Sequence, residues 1–67
     1  MLEKFKTRPD ARGNVYTLKI DHESRHFSAE YNTPINSHYV TIGKKARAHM
    51  IEALREAGYT ETTRIYL

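Results

Sequence analysis

The chain has 67 residues, 11 Lys and Arg against 8 Asp and Glu, and no cysteine, so disulfides and thiolate metal sites are excluded. A chain this short buries only about 60% of the surface its unfolded form exposes, which leaves its stability marginal and makes a homodimer one source of further buried area. No apolar run approaches the ~20 residues needed to cross a bilayer, and the formal charge of +3 with a pI near 9.4 is a weak pointer to nucleic acid.

Residues 1–12 carry Lys4, Lys6, Arg8 and Arg12 around Pro9 and read as a basic N-terminal arm with little order of its own. No apolar stretch follows the first charges, so the start does not read as a signal peptide, and a cytoplasmic protein is expected. Residues 13–67 read as a single α+β domain, opened by the turn signal Gly13-Asn14.

Val15 to Asp21 and Arg25 to Tyr31 each alternate with period two. Pairing Ile20 with Phe27, Leu18 with Ala29 and Tyr16 with Tyr31 puts every apolar side chain on one face, and a slip of one residue would put a set in water. That register makes His22-Glu23-Ser24-Arg25 the turn of a β-hairpin. His38 to Ile42 is the third strand, with Val40 and Ile42 expected inside and Tyr39 and Thr41 outside. From Gly43 to Ala57 the pattern becomes helical, with Ala46, Met50, Ala53, Leu54 and Ala57 at three- and four-residue spacing. Thr41 or Gly43 caps its start, and Gly58 followed by Tyr59 suits a Schellman ending. Thr62 to Leu67 is the last strand. The expected fold is therefore α+β, in the order ββ-β-α-β, a mostly antiparallel sheet packed on one helix. The expected core is Leu18, Ile20, Phe27, Val40, Met50, Leu54 and Ile65.

The helix charges run against its dipole. Lys44, Lys45 and Arg47 crowd the first turn and Glu52 and Glu56 the second half, each disfavoured by roughly 0.3–1 kcal/mol at low salt. Solvated side chains relax such repulsion cheaply. Alternatively, helix N-terminal amides with lysines beside Gly43 make an anion site. Gly43-Lys44-Lys45 is not a Walker motif, lacking the upstream glycine and the following Ser or Thr. On the outer hairpin face, Thr17, Lys19 and Asp21 stand beside His26, Ser28 and Glu30, extended by Tyr39 and Thr41. These side chains suit contacts to base edges, although a solvated sheet face is polar anyway and its acids repel phosphate.

His22 and His26 are four apart but straddle the turn and point to opposite faces, while His38 and His49 have no nearby carboxylate or cysteine in sequence. No metal and no cofactor is expected. There is no thiol, no glycine-framed serine and no paired carboxylate in a pocket-forming context, so an enzyme is not expected. Tyr59 and Tyr66 are candidates for exposure and, with Arg64, for a protein interface.

The order strand–strand–strand–helix over residues 14–58 resembles the small three-stranded DNA-binding domains of some phage integrases and of a class of plant transcription factors. The expected function is non-enzymatic binding of nucleic acid, most simply DNA. Lys44, Lys45, Arg47 and the arm residues would meet phosphates. Lys19, His26 and Tyr39 would lie nearest the bases, with Arg25 a further nucleic-acid-binding residue. The alternative is a phage- or mobile-element-type regulator that binds a host protein through Tyr59, Arg64, Tyr66 and the sheet edge.

Overall fold

The computed structural model describes residues 2–35 and 37–63. It contains β1 (Leu2–Lys6), β2 (Tyr16–Asp21), β3 (His26–Tyr31), β4 (Val40–Thr41), one helix α1 (Lys44–Glu56) and β5 (Thr60–Glu61). The strands form a five-stranded mixed sheet in the order β4-β1-β2-β3-β5. β1–β2 and β2–β3 are antiparallel, whereas the two-residue edge strands β4 and β5 run parallel to β1 and β3. The fold is α+β, with the helix on one face of the sheet.

The hairpin register is the one the alternation demands: Ile20 faces Phe27, Leu18 faces Ala29 and Tyr16 faces Tyr31. Asp21 closes the turn by accepting the backbone N–H groups of Glu23 and Ser24 through Oδ1, and Arg25 takes a left-handed conformation at φ 59°. Leu18, Ile20 and Phe27 meet Ile51 and Leu54 of α1, with Phe5, Ala29, Met50 and Tyr59 packed around them. Burying each large apolar side chain contributes about 1.5–3 kcal/mol, so this cluster dominates the stability of a small domain. The helix ends in the expected Schellman motif: Tyr59 N–H reaches the Leu54 carbonyl and Gly58 N–H the Arg55 carbonyl, with Gly58 at φ 87°.

Three expectations need correction. The arm is not separate from the fold: residues 2–6 form β1, inside the sheet, because Phe5 lies beside Leu18 and packs on the core cluster. The helix turns only part of its expected face inward: Leu54 is buried and Met50 packs on the core as expected, but Ile51 is buried while Ala46 and Ala53 are exposed. The third strand has the expected phase but not the expected burial, with Tyr39 buried at 5% exposure and Val40 48% exposed. Val40 shares a face with Phe5, but at the sheet edge, beyond the core cluster. Of the expected last strand Thr62–Leu67, Thr62 and Thr63 follow β5 outside any strand, and Arg64, Ile65, Tyr66 and Leu67 lie outside the described residues.

The second sheet face is covered too. From Tyr31 at the end of β3, the chain crosses to β4, which lies on the far side of β1. Near the end of this crossing, Lys4 Nζ donates to Ser37 Oγ at 2.9 Å and lies 5.7 Å from the centre of the Tyr39 ring. Lys4, Lys19 and Ser28 share that face, and Ser28 Oγ also donates to the Thr63 carbonyl. Thr17, Lys19 and Ser28 are accordingly buried.

Candidate nucleic-acid interface

The β1–β2 connection and the start of α1 meet at one end of the molecule. Asp10 organises the connection. Its Oδ1 accepts the backbone N–H groups of Arg12 and Asn14, and its Oδ2 accepts the Tyr31 hydroxyl at 2.9 Å. The Asn14 amide and then the Tyr31 hydroxyl hold the Asp10 carboxyl below its ordinary value of 3.8. Thr7 Oγ1 accepts the Tyr16 N–H, and Ile42 N–H donates to the Lys6 carbonyl, joining this connection to the approach into the helix.

Between them lies a groove of about 440 Å³ lined by Thr7, Arg8, Pro9, Asp10, Thr41, Ile42, Gly43 and Lys44. Its volume is within the range of roughly 300–1,000 Å³ seen for small-molecule sites, but most of its walls are exposed residues, so it is an open channel rather than an enclosed pocket. Gly43 is the N-cap, in an extended conformation and without a side-chain cap, and the first turn holds no acid. The first helical N–H groups are therefore left for water or a ligand.

Lys44 Nζ and the Arg47 guanidinium lie 5.3 Å and 5.1 Å from the centre of the Tyr16 ring, which also stacks at a tilt on Tyr31, centroids 4.6 Å apart. Arg47 is half-buried and donates to the Thr17 carbonyl from Nε and Nη2, at 3.2 and 3.0 Å. Burial pushes its guanidinium pKa down from the ordinary value. Arg47 thus fastens the helix to the sheet.

The expected site residues separate into groups. Arg12, Lys44 and Lys45 stand exposed at this end, joined by Arg8 and with Lys6 at the adjoining end of β1. Lys19 is buried on the face that the crossing chain covers, and Tyr39, near the end of that crossing, is buried beside Lys4. Arg25 and His26 lie at the opposite end, beside the β2–β3 turn. Arg25 donates to the Ala57 carbonyl at the helix C-terminus and lies over the Tyr59 ring, while His26 Nδ1 contacts the Ser24 carbonyl. Tyr59 is half-buried, with its hydroxyl 2.7 Å from Nδ1 of His22, whose Nε2 is 2.5 Å from Glu3. Arg64 and Tyr66 lie outside the described residues. Among the described residues, no three His, Asp or Glu side chains form a metal-ligating group, and no helix is long and apolar enough to cross a membrane.

Sequence reasoning missed the groove and the part Asp10 and Tyr31 play in its wall. The spacing Asp10-Ala11-Arg12-Gly13 was a usable signal, because an aspartate three residues before a glycine is a common turn start. No protein-family model, curated protein or solved structure matches the chain.

Proposed function

We propose that this chain is a small non-enzymatic module that binds the phosphate backbone of nucleic acid with its basic end. The observation that carries this reading is the gathering of Arg8, Arg12, Lys44 and Lys45 around an uncapped helix start and an open groove. Helix amides and flexible cations together favour phosphate oxygens. The reading is narrower than the sequence suggested. Lys19 and Tyr39 are covered, so binding rests on the backbone and is largely independent of base sequence. Against catalysis in the groove, Asp10, the one carboxylate lining it among the described residues, already accepts three hydrogen bonds.

The test is to change Lys44 and Lys45 together to Gln and measure stability and binding separately. Stability should hold or rise by a few tenths of a kcal/mol as dipole repulsion is relieved. Binding should weaken, and the log–log salt slope should become shallower by about 0.9 for each lost duplex phosphate contact. Glu52→Gln with Glu56→Gln is the control and should leave binding unimpaired. Equal affinity for the lysine variant and the parent would contradict the reading.

A second reading, a regulator that binds a protein, is favoured by the exposure of Tyr31, Ile35 and Val40, at 45%, 38% and 48%. Val40 borders a groove of about 240 Å³ with Leu2 and Phe5 at the outer edge of β1. Such an interface would respond far less to salt than phosphate binding.

A further inference from the structure

The charge of this chain is divided between its two ends. Lys6, Arg8, Arg12, Lys44, Lys45 and Arg47 lie at the end where β1 finishes, β2 begins and α1 starts. Asp10 and Glu30 share that end, which leaves it a net four positive charges. Glu3, Asp21, Glu23, Glu52, Glu56 and Glu61 lie at the other end, around the β2–β3 turn and the helix C-terminus. Arg25 and Arg55 share it, leaving a net four negative charges on side chains among the described residues. Lys4 and Lys19 pair with one another midway. The reversed helix charges thus belong to a polarity that β1, β2 and both connections share.

The helix runs from one end to the other, and its 13 residues span about 20 Å at 1.5 Å per residue. That is twice the ~10 Å Debye length at 0.1 M salt, so each end acts on whatever approaches it with little cancellation by the other. An acidic surface alone would define no partner. Here the same molecule carries a basic surface of matching net charge. Among the described residues the buried apolar side chains are Leu18, Ile20, Phe27, Tyr39, Ile51 and Leu54, and a domain with so small a core gains from further contact.

We propose that copies of this chain associate head to tail, the acidic end of one on the basic end of the next. The contact is heterologous, so it extends into open chains or closes into a ring rather than stopping at a two-fold dimer. It is held mainly by charge and weakens with salt. Nucleic acid and a second copy compete for the basic end. The inference does not depend on the nucleic-acid reading, since it concerns the protein alone.

Sedimentation of nuclease-treated protein freed of nucleic acid tests it, at about 20 mM and about 300 mM salt, either side of the regime where the Debye length is ~10 Å. At low salt the mass should rise above the 7.8 kDa of one chain as concentration increases. At high salt it should return to that of the monomer. Lys44→Glu with Lys45→Glu and Glu52→Lys with Glu56→Lys should each abolish association, and both changes suit the helix dipole. Each variant keeps one native end, so an equal mixture of the two should associate where neither does alone. A parent that stays monomeric at low salt overturns the proposal without reference to any variant. So does association that persists at high salt, or a mixture that fails to associate.

Discussion

Asp10 sets the geometry of the groove wall, and it makes that wall sensitive to acid. Hydrogen bonds from the Asn14 amide, and then from the Tyr31 hydroxyl, stabilise its charged form in the fold. Its folded pKa therefore lies below its unfolded one. The stability it contributes is fully present above its ordinary 3.8 and is lost as pH falls through the folded value. Asp21 behaves alike, its carboxyl lowered by the Ser24 hydroxyl and then the Glu23 amide. Melting temperature should thus fall between about pH 5 and pH 2, and Asp10→Asn should make that fall shallower. An unchanged acid limb in Asp10→Asn would show that the carboxylate's bonds hold nothing. Arg47 and Lys44, three residues apart above the same tyrosine, should separate by function. Arg47→Gln should cost about 1 kcal/mol in urea unfolding, because the Thr17 carbonyl loses two donors from a charged group. Lys44→Gln, exposed and without such bonds, should cost nothing measurable.

At the scale of elements, the helix is fixed at both ends by different means. Its end is tied by the Schellman bonds and by Arg25 on the Ala57 carbonyl. Gly58→Ala should cost about 1 kcal/mol through its φ of 87°, since an added Cβ would meet only Arg25 Nη2 at an ordinary 3.7 Å. Leu54→Ala should cost about 2–5 kcal/mol by opening a cavity under the helix, enough to unfold a marginal domain at 37 °C. Removing residues 1–6 should abolish cooperative unfolding, because β1 covers the flank of β2; a true arm would be dispensable. What the sequence revealed of these elements follows from how local the signal is. The β2–β3 register and the helix ending were legible, because period-two alternation and Gly58-Tyr59 act between near neighbours. β1 was not, because Leu2 and Phe5 are three apart and face opposite sides, so the strand reads as a run of charges. The burial of Tyr39 and the exposure of Val40 depend on a chain crossing a second sheet face and on a strand at the sheet edge, non-local facts that alternation does not encode.

For the whole molecule, the same distinction separates the site residues that the sequence suggested. Lys44, Lys45 and Arg12 were legible as a cationic group because they sit in or beside the helix start and the turn. Lys19 and Tyr39 were lost to burial, and Arg25 and His26 to strand direction, which carries them to the acidic end. What remains is a basic end built from two connections and one helix start, opposed to an acidic end. The central claim, that the basic end binds phosphate backbone, is tested most directly by titrating short DNA and RNA duplexes and single strands with the parent protein across a range of salt. Binding should appear at low salt with little dependence on base sequence. For duplex DNA, log affinity should fall with log salt at a slope of roughly −2.7 to −3.6, as expected for three or four phosphates neutralised by Arg8, Arg12, Lys44 and Lys45. No binding to any of them at low salt, or binding indifferent to salt, would contradict the account.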